Sequence, residues 1–466
     1  MVRRWPSARA RAAALVPAVA ACAMTAGCTA LSVEGPDESP SGTPSATSTT
    51  ASSSATPEPV TLTFAVYGEK ERVASYRELA RAYTTANPHV TIEIESAPTA
   101  VTSRSQIQEH FAEGTAPDVF LAARDGLATL IEQEQLRPVN ELLAQRGVEF
   151  GDFYHRDGLE AFSEDAALQC MPHDVSPLVV YYNDDLLNLR NLVPPGDEPP
   201  IAEDGWSWDQ FAEAARSMSR GKVNGVYIRP SLEEMSPFIW SNGGELVDDM
   251  QAPTTLTMTD GDTREAVETV LELVRDPRVT PSQTELARQD ALTRFIRGRL
   301  GMILGPRSLT PRLREAANLD FEVFPLPSLG RFRTAASMNG YCIAATSANV
   351  DAAADFIAYA VSDHGSRIVT RAGYIVPSNL QVAHSSAFTQ PLQQPENSFV
   401  FNEGVRRTQP TPLVPEWAQV VAVTESLWQR AFYAPVIDLD ALLAELDHTS
   451  QVILGPPPTE TPADEE

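Results

Sequence analysis

Between Thr61 and Ile94 the hydrophobic period of the chain changes twice, from two residues to about 3.6 and back again. Leu62, Phe64 and Val66 alternate with Thr61, Thr63 and Ala65, which predicts a half-buried strand running into a turn at Tyr67, Gly68, Glu69 and Lys70. Val73, Tyr76, Leu79, Ala80 and Tyr83 then recur at helical spacing until Asn87 and Pro88 stop them. Val90, Ile92 and Ile94 alternate as the next strand. A βαβ unit of this kind requires parallel strands joined by a right-handed crossover. The pattern continues, with strands expected at Pro117–Leu121 and Leu178–Tyr182 and a helix beginning at Asp125. Ser207 and Gln210 have capping-box spacing before Phe211, Ala214, Ala215 and Met218. The fold class is therefore α/β, and ligands of open α/β sheets sit beyond the carboxyl ends of strands. That rule points to the loops at Gly68–Lys70, Ala122–Asp125, Gly305–Arg307 and Asn339–Tyr341.

The first residues speak of location. Arg3, Arg4, Arg9 and Arg11 precede an apolar run from Ala12 to Ala23 that is too short to span a bilayer, and Ala26 and Gly27 lead into Cys28. Residues 1–27 are expected to be an export signal and Cys28 an acylated first residue, with Cys22 the alternative and a released soluble protein the competing outcome. Residues 28–59 form an expected tether, because Ser, Thr, Pro, Ala and Gly cannot bury enough apolar surface to fold. Residues 456–466 are expected to be a disordered tail.

A formal net charge of −27 excludes a simple nucleic-acid binder, since phosphate backbones would repel such a surface. No later apolar run is long enough to span a membrane, and a body of roughly 400 residues exceeds what one core sustains, so two lobes are expected. The seven His residues are scattered, which argues for no metal site. With Cys28 acylated and Cys22 removed, Cys170 and Cys342 make one possible disulfide in an oxidising compartment.

Six phrases in order carry a family resemblance: GTAPDVFL from Gly114, VVYYNDDLL from Val179, WSWDQF from Trp206, FIWSNGGELVDD from Phe238, FIRGRLGMILGP from Phe295 and PLPSLGRFRTAASMNGYCIA from Pro325. Together they resemble the extracytoplasmic solute-binding proteins of ABC importers, in the carbohydrate-binding, maltose-binding-protein-like group. The resemblance implies a two-lobed fold, each lobe a mainly parallel sheet flanked by helices, with a ligand cleft closing about a hinge. It places lobe 1 at residues 60–173 and 342–388, and lobe 2 at 174–341 and 389–455. It implies a monomer that uses no cofactor and does no chemistry, and that delivers a saccharide to ABC permease subunits from the outer face of the membrane, anchored by lipid.

Carried over residue by residue, the resemblance makes Glu69 and Lys70 sugar-binding, the acid accepting hydroxyl bonds and the amine donating them. Arg124 and Asp125 follow the next strand; Asp174, Ser176, Asn339 and Tyr341 lie on segments that resemble interlobe crossovers. Trp240 and Trp417 are the candidates for aromatic faces against sugar rings. Asp118 is read as conformational, at the start of its strand. Cys170 and Cys342 adjoin the two crossovers, where a disulfide would brace the hinge.

Departures from the pattern matter as well. Arg307 stands where an aromatic is usual, Ala122 where another is, and His173 where a Tyr is. Lys70, Arg124 and Arg307 would put three cations around the cleft and favour an anionic solute, the alternative being that Arg307 pairs with an acid. Other competing readings are a ligand sensor and, against the pattern, a secreted glycoside hydrolase using two of Glu69, Asp125 and Asp174.

Overall fold

The computed structural model describes residues 58–455, so the export signal, Cys28, nearly all of the tether and the tail fall outside the described residues. Twelve strands carry the architecture: β1 Val60–Tyr67, β2 Val90–Ala97, β3 Val119–Ala123, β4 Leu136–Arg137, β5 Ser163–Glu164, β6 Ala167–Leu168, β7 Met171–Pro177, β8 Val179–Asn183, β9 Asn224–Tyr227, β10 Leu300–Gly305, β11 Phe321–Phe324 and β12 Ala336–Ala344. The first sheet runs β2-β1-β3-β12-β4 with β7 added on β12; the second runs β11-β8-β10-β9. Strands β5 and β6 form a separate ribbon.

The opening βαβ unit forms as its periodicity requires, with β1 parallel to both β2 and β3 and the helix Lys70–Ala86 between β1 and β2. The helix turns Val73, Tyr76, Leu79, Ala80 and Tyr83 inward, the residues at helical spacing. Helix Trp208–Met218 opens on the capping box, Ser207 Oγ accepting from Gln210 N at 3.3 Å and Gln210 Oε1 from Ser207 N at 2.9 Å.

Neither sheet is mainly parallel. β12 runs antiparallel to β3, β4 and β7, and β8 antiparallel to β10 and β11. The reason is topological: β12 and β8 are each the first strand after a passage between lobes, and they enter from the opposite end.

The passages also correct the expected boundaries. β7 and β12 both lie wholly in the first sheet, so the divisions at 173/174 and 341/342 cut through strands. The chain changes sheet at Leu178 and again between Phe324 and Ala336. A third passage follows helix Ser386–Thr389, where helix Phe399–Val405 packs on both β7 and β8. Cys170, just before β7, and Cys342, in β12, are joined as a disulfide with Cα atoms 4.4 Å apart across 172 residues of sequence. Asp118 closes the start of β3: its carboxylate accepts from Thr63 N at 2.9 Å, Thr63 Oγ1 at 3.1 Å, Ser347 Oγ at 2.6 Å and Asn349 Nδ2 at 3.2 Å. One carboxylate thus ties β1, β3 and the segment after β12 together.

Candidate functional site

The carboxyl ends of β1 and β3 bring two charged loops to the same end of the first sheet. After β1 the chain turns at Gly68, whose φ of +131° and crowding against Arg72 leave no room for a side chain. Glu69 then stands at the N-cap of helix Lys70–Ala86 without making a capping bond, so its exposed carboxylate, beside exposed Lys70, is open to other partners. Across from it lies Tyr374, whose phenol is pushed up to about 12 by burial and by the neighbouring charges of Glu69, Glu71 and Glu315.

After β3 comes a tight turn, Arg124–Gly126, that packs on the helix Trp417–Tyr433 of the second lobe. Arg124 is largely buried there; Nη1 reaches Thr411 Oγ1 at 3.5 Å, while Nε has no hydrogen-bond partner among the described residues. Burial lowers its pKa to about 10, with Asp125 and Glu164 acting the other way, so it remains a cation at neutral pH. Asp125 is half exposed and pairs with Arg104 of helix Ala100–Glu113, not with its neighbour Arg124. Arg104 and Thr411 are site residues that the sequence reading missed. Nothing in the local pattern around either marks it, because each is brought in by a distant element.

The remaining expected ligand residues lie elsewhere. Asp174, Ser176 and Asn339 are 1–4% exposed, beneath this rim. Asn339 Nδ2 donates to both Asp174 oxygens at 3.1 and 3.0 Å and Tyr67 OH donates to Asn339 Oδ1, while Ser176 Oγ accepts from Val376 N at 3.3 Å. Arg72 Nη2 lies 3.6 Å from Asp174, and its guanidinium sits over the Tyr67 ring at 5.2 Å. Burial raises the Asp174 pKa to about 6 in spite of Arg72, Asn339 and Ser176. Burial works against the charge on Arg72, but Tyr76, Asp174 and Tyr67 more than offset it and hold its pKa above the ordinary value. His173 is kept neutral by burial and by Arg72, so its 3.7 Å approach to Asp174 is not an ion pair; its Nε2 instead meets Tyr76 OH at 2.9 Å.

Tyr341 is corrected from ligand contact to core. It lies mid-strand in β12, opposite Leu121 and Met171, fully buried between Phe64 at 5.9 Å and His173 at 4.7 Å. The expected loop at Asn339–Tyr341 is the interior of a strand. Arg307 is corrected too, since it is 0% exposed and meets no acid among the described residues. Its guanidinium lies over the Phe388 and Phe401 rings at 4.9 and 5.1 Å and donates to Ser398 Oγ at 3.0 Å and Phe388 O at 3.3 Å. Burial lowers its pKa to about 9. Trp240, inside helix Leu232–Asn242, is 3% exposed and Trp417 is 5% exposed, so neither presents a free ring face.

One buried acid escaped the sequence reading. After β9, Glu234 accepts from Arg229 N at 2.6 Å and Arg229 Nε at 3.1 Å, and burial, opposed by Arg229, raises its pKa to about 7. Among the described residues no group of His, Cys, Asp and Glu is placed to hold a metal ion.

The arrangement that remains is two acids and three cations, Glu69, Asp125, Lys70, Arg104 and Arg124, with the hydroxyl of Thr411, where first-lobe loops face second-lobe elements. Such a set can accept and donate many hydrogen bonds to a polar solute at once.

Comparison with known proteins gives a consistent picture. The sequence profile of the family described as bacterial extracellular solute-binding protein matches residues 78–395. A binding protein of Brucella abortus is 24% identical over 282 residues, which cover 59% of this chain and 64% of that relative. The chain thus spans about 64% of the length of the curated relative it matches. The sn-glycerol-3-phosphate-binding periplasmic protein UgpB of Shigella dysenteriae is 26% identical over 147 residues, 29% of this chain and 32% of that protein. Among solved structures, the ABC substrate-binding protein Lmo0181 of Listeria monocytogenes in complex with cycloalternan superposes with a TM-score of 0.74 at 18% identity, covering 85% of this chain and all of that one. The GacH receptor of Streptomyces glaucescens gives 0.70 at 18% identity, covering 85% and 98%.

Proposed function

This chain belongs to the bacterial extracellular solute-binding proteins, and from that premise we propose that it captures a sugar or oligosaccharide between its lobes and delivers it to an ABC importer. The observation that carries the reading is the packing of the Arg124–Gly126 turn, with Asp125 paired to Arg104, on the second lobe at Thr411 and helix Trp417–Tyr433, at the end of the first sheet where the β1 loop presents Glu69 and Lys70. Hydroxyl-rich solutes are held by this kind of charged donor and acceptor set. The fold shared with oligosaccharide-complexed proteins supports the sugar class.

In this reading the protein is a monomeric binder and no enzyme. It works outside the cytoplasm, with Cys28 acylated and residues 28–59 as a leash that keeps it near the permease. A thermal-shift panel on the full chain tests it, with neutral oligosaccharides, amino sugars, uronates and sugar phosphates as ligands. Binding to the native state at a hundredfold excess over Kd stabilises by about 2.7 kcal/mol. The expected result is a shift with one sugar class that Asp125→Ala removes; no shift with any of them would overturn the reading.

An anionic solute is the second reading. Lys70, Arg104 and Arg124 favour it even with Arg307 withdrawn from the site, and the likeness to a glycerol-phosphate-binding protein supports it. A response to sugar phosphates or uronates alone would select it.

A further inference from the structure

We propose a second binding site, for a small free anion such as phosphate, on the connections between the lobes. Thr334 N donates to Arg407 O at 3.0 Å and Gln409 N to Thr334 O at 3.0 Å, so the second passage lies alongside the segment after helix Phe399–Val405. This pairing brings Arg333 and Arg407 to the wall of one recess, whose apolar floor includes Leu178, Leu326 and Val400. All three interlobe connections contribute to it.

The aromatic wall is fixed. Phe332 carries the Arg407 guanidinium over its ring at 4.8 Å, and its edge fills the space a side chain on Gly205 would need, 2.8 Å from the Cβ position, where φ is +73°. Among the described residues neither Arg333 nor Arg407 forms an ion pair, whereas the adjacent Arg406 pairs with Glu403 at 3.7 Å. Arg333 Nη1 has only the Phe332 carbonyl, at 3.2 Å.

In a chain with 62 acids against 35 Lys and Arg, two partly exposed guanidinia that line one recess without a carboxylate partner among the described residues are free to receive an anion. Guanidinium forks match the oxygens of phosphate and carboxylate. The recess itself encloses about 10 Å³, no more than one water, so a phosphate would sit across its mouth against the two guanidinia.

Calorimetric titration of the full chain with inorganic phosphate at constant ionic strength tests the site. Saturable binding is expected, weakened at least about tenfold in Arg333→Gln/Arg407→Gln, as loss of charged hydrogen bonds would require. Phosphate binding that is weakened by Lys70→Gln but not by the double variant would place the ion on the rim of the other site and overturn the proposal. Equal affinity in the wild type and the double variant, or no saturable binding in the wild type, would overturn the proposal. Sedimentation with phosphatidic acid vesicles without binding of free phosphate would overturn it as well, because the occupant would then be a lipid headgroup.

Discussion

Asp125, just after β3, and Asp174, in the middle of β7, are both first-lobe carboxylates paired with an arginine, yet one is half exposed and the other is sealed. The Asp125–Arg104 pair stands in water, where attraction is screened and either partner can exchange for a solute. The Asp174–Arg72 pair is 2% and 10% exposed, with Asn339 Nδ2 on both Asp174 oxygens and the guanidinium over the Tyr67 ring, while Arg72 Nε and Nη2 have no hydrogen-bond partner among the described residues. The same chemistry thus serves recognition on the rim and registry beneath it, and burial decides which.

The largest expected effect lies beneath the rim. Asp174→Ala strands a buried guanidinium and should cost about 3–5 kcal/mol in urea unfolding. A loss under about 1 kcal/mol would mean that the two pairs are equivalent after all. Replacing Cys170 and Cys342 together by Ala should cost about 2–5 kcal/mol, read from the same unfolding curves with no reductant present.

Glu234 sharpens the contrast through pH. Its folded pKa of about 7 lies above the ordinary value of 4.5, so the folded state holds its proton more tightly than the unfolded chain does. Its contribution to stability is complete below about 4.5 and is lost as pH rises through about 7, up to roughly 3 kcal/mol in all. Glu234→Gln should flatten that part of a stability–pH profile, and an unchanged slope would remove the acid from the account.

Least of all should happen to stability on the rim. Asp125→Asn is expected to change it by no more than about 1 kcal/mol while lowering affinity for the cleft ligand about tenfold. A large destabilisation with intact binding would reverse the assignment of the two aspartates.

What the sequence disclosed follows the same division. The βαβ unit, the capping box and Asp118 as a strand-start clasp rest on local spacing and were legible. Tyr341 was not, because a Gly-containing stretch that looks like a turn is here a strand interior registered against β3 and β7. Arg307 follows Gly305 and Pro306 as a loop cation would, but Phe388 and Phe401, far along the chain, roof it over. Arg104 and Thr411 were invisible for the converse reason: a helix face and a late segment supply them to loops made by β3. Glu69, Lys70, Arg124 and Asp125 do stand in loops at the carboxyl ends of β1 and β3, a placement the strand-end rule reads from the order of elements alone.

The sheet order carries a consequence for synthesis. β12 inserts between β3 and β4, yet it is made only after every strand of the second sheet. The second sheet is a nested insertion that can finish while β3 still waits with a bare edge. A nascent chain, or a product truncated before Ala336, therefore carries a half-built first sheet whose open strand invites pairing with other copies. The strands of the first sheet are thus completed only after those of the second, and the C-terminal helices Trp417–Tyr433 and Leu439–Leu454 join the second lobe later still.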